Sequence, residues 1–123
     1  MAERSLVSVV DDDESVRESL PDLLREFGFA VQAFSSAEEF LASSYACQTR
    51  CLVLDVAMPG MSGPDLQQEL MFRRKEIPIV FITAHGGEAV RQHLLQQGAA
   101  ECLFNPFSDT ALREALNAAL RTS

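Results

Sequence analysis

Five short apolar runs are spaced along this chain, and the segments between them carry apolar residues at helical spacing. The runs are Leu6 to Val10, Ala30 to Phe34, Cys51 to Leu54, Ile77 to Ile82 and Glu101 to Phe104. Most are nearly continuous rather than alternating, the pattern of strands covered on both faces. Strands of that kind, each followed by a helix, imply a parallel sheet with helices on both sides: a three-layer α/β sandwich.

The helical segments carry their own punctuation. In the first, Val16, Leu20, Leu23, Leu24 and Phe27 share a face, and Gly28 follows as a C-terminal stop. Pro21 lies inside it, where it should cost stability or kink the helix. The second opens with Ser36-Ala37-Glu38-Glu39, a capping-box pattern. The third begins near Ser62-Gly63-Pro64 and carries Leu66 and Leu70. It ends in Arg73-Arg74-Lys75, whose charge suits a helix C-terminus. The fourth, from about Gly87 to Gln97, is the weakest, with Val90, Leu94 and Leu95 as its only large apolar residues. The fifth sets Leu112, Ala115, Leu116, Ala119 and Leu120 on one face. Phe34, Phe40, Phe81, Phe104 and Phe107 are expected in the core.

A length of 123 residues fits one domain spanning 1–123. A net charge of -8 argues against binding of nucleic acid or an anionic membrane by this domain. No stretch is long and apolar enough to span a membrane, and Met1-Ala2-Glu3-Arg4-Ser5 has no signal-peptide pattern. Cys51 and Cys102 fall in apolar runs and read as small core residues. Cys47 and Cys51 lack partners at zinc-ligand spacing. Three cysteines without a secretory signal fit a reducing cytosol, so a cytoplasmic location is expected.

The chemistry sits at the ends of the runs. The first ends in Asp11-Asp12-Asp13-Glu14, and the third leads into Asp55, followed by Val56-Ala57-Met58-Pro59-Gly60. If those strands are neighbours, their carboxylates converge at the edge where parallel sheets bind ligands. Such a cluster suits a hard divalent cation, and a metal-held carboxylate can accept a phosphoryl group. Taken alone, the acidic run reads equally well as a solvated helix start, and Thr83 as an ordinary strand-end residue. A flavin-mononucleotide carrier would need a Ser/Thr/Gly-rich loop where the four acids stand. A dehalogenase-type phosphatase would need a second acid at the position of Ala57, and no hydrolase triad or phosphate-binding loop is present.

Together the strand ends resemble the receiver domain of two-component response regulators, the CheY-like fold, over essentially the whole chain. The resemblance rests on the acidic pair Asp11-Asp12, Asp55-x-x-Met58-Pro59-Gly60-Met61-Ser62-Gly63, Thr83-Ala84, and Asn105-Pro106-Phe107 in order. Asp55 to Gly63 and Thr83-Ala84-His85-Gly86 are most similar to FixJ-type receivers. The resemblance implies a doubly wound five-stranded parallel sheet in order 2-1-3-4-5, a flavodoxin-like (βα)5 sandwich, with two helices on one face and three on the other. It implies Asp55 as the phospho-accepting nucleophile. Mg²⁺ would be held by Asp12 and Asp55 directly, by Asp11 through water and by the Ala57 carbonyl, with the Thr83 hydroxyl on the phosphoryl group. It implies a sensor histidine kinase as partner, and self-catalysed phosphorylation and dephosphorylation rather than a stand-alone enzyme. A C-terminal DNA-binding effector domain is usual in FixJ-type relatives. A homodimer would use the face of the fourth helix, fifth strand and fifth helix. The Asn105–Pro106 bond would be cis.

Two positions depart from the family pattern. Asn105 stands where receivers usually carry lysine, and Cys102 where many carry an aromatic residue. Both support an alternative, a degenerate receiver acting as a phosphorylation-independent interaction module; the retained acids and Thr83 oppose it. His85, two residues after Thr83, is a candidate replacement for the missing cation, although loop histidines commonly have no such role.

Overall fold

The computed structural model describes residues 4–84 and 87–121. Strands β1 (Leu6–Val10), β2 (Ala30–Phe34), β3 (Cys51–Asp55), β4 (Ile79–Thr83) and β5 (Glu101–Phe104) alternate with five helices. These are α1 (Glu14–Glu26), α2 (Ala37–Ala42), α3 (Gly63–Phe72), α4 (Glu88–Gln96) and α5 (Asp109–Arg121). All pairings are parallel, and the order is β2-β1-β3-β4-β5, as expected. Among the described residues no helix is long and apolar enough to cross a membrane.

Side-chain alternation feeds two cores. Val7, Val9, Cys51, Val53, Val80 and Ile82 pack with Leu20 and Leu24 of α1 and Leu112 and Leu116 of α5. Val10, Leu52, Leu54, Ile79, Phe81 and Cys102 pack on the other face with Phe40 of α2, Leu66 and Leu70 of α3 and Leu94 of α4. The central strands β3 and β4 are thus covered by apolar helix faces on both sides, which explains why their runs are continuous. The register pairs Val9 with Val53 and Val10 with Leu54. The acidic ends of β1 and β3 therefore reach the same level of the sheet.

Several boundaries differ from the sequence reading for identifiable reasons. β4 starts at Ile79, not Ile77, because Pro78 has no N–H to give a central strand; its carbonyl instead accepts Leu52 N–H at 2.9 Å. α3 stops at Phe72, before the basic stretch. Arg74 adopts the left-handed conformation (φ 57°), and Lys75 N–H returns to the Leu70 carbonyl. Ser36 caps α2 as read, accepting Glu39 N–H, but the Glu39 carboxylate takes Ser35 N–H rather than completing the box on Ser36. The full reciprocal box belongs to α3, between Ser62 and Asp65. Gly28 stops α1 at φ 102°, and α1 continues through Pro21, which is buried. Phe104 is not a core residue; it is 36% exposed, and Phe107 is only partly buried. Only Leu94 of α4 is buried, in line with its weak pattern.

At Gly63 the start of α3 lies close against the end of β3. A Cβ there would lie 2.3 Å from the Asp55 carbonyl oxygen and 2.9 Å from the Phe81 ring. Gly63→Ala is expected to lower stability by about 3 kcal/mol, because backbone on one side cannot yield. Gly28→Ala, where φ is positive but space is open, is expected to cost about 1 kcal/mol. Urea unfolding of both variants checks the ranking.

Candidate functional site

The site is assembled from strand ends because parallel strands all point their C-termini one way. A cleft of about 300 Å³ opens there, lined by Asp11, Asp12, Asp55, Thr83, Ala84 and Asn105 among others. Asp11 follows β1 and is buried (4% exposed); Asp12 is exposed; Asp55 is the last residue of β3 and half-buried. One carboxylate oxygen from each of these three lies within 4.8 Å of the others.

Local bonds fix this arrangement. Asp11 Oδ1 accepts Asp13 N–H at 2.8 Å, and Asp13 in turn caps α1 by accepting Ser15 N–H at 2.9 Å. Arg17 Nη1 donates to the Asp11 carbonyl at 3.0 Å, tying α1 to the end of β1. Of the acidic run, Asp13 and Glu14 serve as the helix start, while Asp11 and Asp12 line the cleft, with Asp13 at its margin as well. Thr83, the last residue of β4, is buried, and its carbonyl accepts Asn105 N–H at 2.8 Å. That bond brings position 105 to the cleft, and the Asn105–Pro106 bond is cis, as expected. Ala57 is exposed, and its nearby backbone N–H favours the ionised Asp55 carboxylate, partly offsetting the effect of burial. His85 lies outside the described residues.

The electrostatics are those of crowded acids. Burial pushes the Asp55 carboxyl up to about 7, with the Asp11 charge and a carboxyl–carboxyl contact with Asp12 adding to it. Asp11 is also raised, chiefly by burial, with the Asp13 N–H partly offsetting this. Three hard oxygen donors, with no cationic side chain among the described residues that line the cleft, suit a small divalent cation. Among the described residues no cysteine joins a comparable cluster, and burial pushes the Cys51 thiol up to about 12 and also raises Cys102.

Sequence reasoning did not identify the residues that hold the loop after Asp55. Gly63 N–H bonds the Val56 carbonyl at 3.0 Å, and Glu38 of α2 accepts Met61 N–H at 3.2 Å. The Ser-Gly-Pro signal marked Gly63 as a helix start, not as the point where α3 meets the Asp55 backbone. Glu38 is separated from the loop by 23 positions and left no local signal.

The chain belongs to the response regulator receiver domain family, whose model matches residues 7–117. It is 46% identical over 116 residues to Nodulation protein W of Bradyrhizobium diazoefficiens, covering 94% of this chain and 51% of that protein. It is 40% identical over 123 residues to the transcriptional regulatory protein FixJ of Azorhizobium caulinodans, covering all of this chain and 58% of that one. The chain thus spans about half the length of these relatives. Among solved structures, FixJ-N aligns with a TM-score of 0.87 at 38% identity, covering 99% of this chain and 98% of that one. The response regulator StyR aligns with the same TM-score at 45% identity, covering 98% and 61%. The fold and receiver identity expected from the strand ends are therefore correct. The comparisons do not favour the phosphorylation-independent module.

A raised carboxyl has a defined consequence for pH. The folded state holds the Asp55 proton more tightly than the unfolded chain does. Its contribution to stability is full below the ordinary carboxylate range and is lost as pH rises through about 7. Without metal, Asp55→Asn should therefore be more stable than the native domain at pH 8, by several degrees in Tm, with the gap closing towards pH 5. Melts at both pH values in chelator test this; a gap that widens at low pH would contradict it.

Proposed function

We propose that Asp55 accepts a phosphoryl group from a sensor histidine kinase, in a Mg²⁺-dependent step that changes an interaction surface of the domain. The observation that carries this is the convergence of the Asp11, Asp12 and Asp55 carboxylates beside Thr83 and Asn105 in one cleft. Asp12 and Asp55 would hold the ion directly, Asp11 through water, and the Ala57 carbonyl would complete the site. When bound, such an ion neutralises charge on the transferring phosphoryl oxygens. Asp55, ionised beside it, is the nucleophile: its carboxylate oxygen forms the bond to phosphorus as the kinase histidine nitrogen leaves. The Ala57 N–H and the Thr83 hydroxyl supply donors to phosphoryl oxygens, and Asn105 supplies an amide dipole where a lysine would supply a full charge.

The domain then acts as the receiver part of a longer cytoplasmic regulator. A DNA-binding effector domain follows in this reading, as the names of the transcriptional regulatory relatives suggest. The α4-β5-α5 face, with Val90 38% and Phe104 36% exposed, is the proposed dimer surface.

Incubation with acetyl phosphate or a phosphorylated kinase in Mg²⁺ should add one phosphoryl mass, absent in Asp55→Asn. No addition, or addition that survives the substitution, would overturn the assignment. Asn105 has its own test. Loss of one preorganised donor can cost about 3 kcal/mol, so Asn105→Lys should enlarge the NMR shifts that beryllofluoride induces across α4, β5 and α5. Equal, large shifts in both proteins would show that asparagine is no handicap.

A further inference from the structure

The segment from Val56 to Ser62 carries the chain from Asp55 into α3, with Ala57 two residues beyond the acceptor carboxylate. Three contacts hold it. Met58 is buried in the core at one end, and Gly63 meets the Asp55 and Val56 backbone at the other. The third comes from a different element. Glu38, in the first turn of α2, reaches across so that its Oε2 accepts Met61 N–H at 3.2 Å. Gly60 makes room for it: φ there is +73°, and a Cβ would lie 3.0 Å from the same Glu38 oxygen. Met61 packs partly against the core, so its N–H is directed by both side chain and clasp. Glu39, the next residue, turns the other way and binds Ser35.

We propose that Glu38 is a positioning residue for the acceptor site, clasping the β3–α3 loop so that the Ala57 backbone stays aimed at Asp55. The inference rests on the receiver chemistry proposed above. It makes α2 a mechanical part of the site, since displacement of α2 would release Met61 and slacken the loop. The role needs an acceptor oxygen rather than a charge, which separates it from a general electrostatic effect of one more acid near the cluster.

The test compares Glu38→Ala, Glu38→Gln and Glu39→Ala with the native domain. Three quantities are read: exchange of the Met61 amide with solvent by NMR, the Kd for Mg²⁺ by calorimetry, and the rate of phosphorylation by acetyl phosphate. Glu38→Ala should speed Met61 exchange about fivefold, as loss of one net hydrogen bond would. It should also weaken Mg²⁺ binding and slow phosphorylation several-fold, with Tm lowered by no more than a few degrees. Glu38→Gln keeps an oxygen acceptor without charge and should recover most of each. Glu39→Ala should leave Mg²⁺ binding and rate as in the native domain. If Glu38→Ala matches the native Kd and rate, or only lowers Tm, the positioning role is overturned. If Glu38→Gln behaves like Glu38→Ala, the effect is one of charge, which also overturns it. Failure of the native domain to bind Mg²⁺ or take up phosphoryl would instead bring down the site reading on which the inference stands.

Discussion

Mutual repulsion of three carboxylates is the constraint around which the rest of this domain is organised. Asp11, Asp12 and Asp55 would separate in a flexible chain. Here they are held within 4.8 Å because β1 and β3 are adjacent, parallel and in register up to Val10 and Leu54. The two apolar cores fix that register: a slip of one residue would exchange the faces of Val9 and Val10 and bury each against the wrong helices. Core packing thus offsets an electrostatic cost that the isolated domain does not relieve, and the raised carboxyl of Asp55 is the visible sign of that cost.

Much of this was legible in the sequence because its causes are local. Continuous apolar runs reported strands buried on both faces, and Asp11, Asp55 and Thr83 stand at or just beyond strand ends, where topology alone gathers them. The misreadings arose where tertiary context decides. Phe104 looked like core, but it is the last residue of an edge strand next to the thinly packed α4, and nothing covers it fully. The basic stretch does close α3, with Arg73 as its C-cap and the left-handed Arg74 ending it there, a turn residue that charge alone did not single out. The Glu38 clasp could not be read at all, because only the fold brings α2 beside the β3–α3 loop.

The two departures from the receiver pattern, Asn105 and Cys102, lie on β5 and the corner that follows it, away from the acidic cluster of β1 and β3. Asn105 reaches the cleft through its bond to the Thr83 carbonyl, so the backbone corner is kept while the cation is absent. Cys102 fills a buried position on β5 with a small side chain. The aromatic bulk instead stands two residues on, at Phe104, which pairs with Thr83 in the sheet. The carboxylate cluster of Asp11, Asp12 and Asp55 is itself intact.

In the proposed function the carboxylate cluster holds a divalent cation, and Asp55 ionises as the ion binds. Calorimetric titration of the domain with Mg²⁺ between pH 5 and pH 9, in buffers of different ionisation enthalpy, tests this directly. Affinity should rise with pH and level off above about 7, with proton release on binding below that point, and Asp12→Ala should lose most of the affinity. An affinity independent of pH, or one that Asp12→Ala leaves unchanged, would contradict the account.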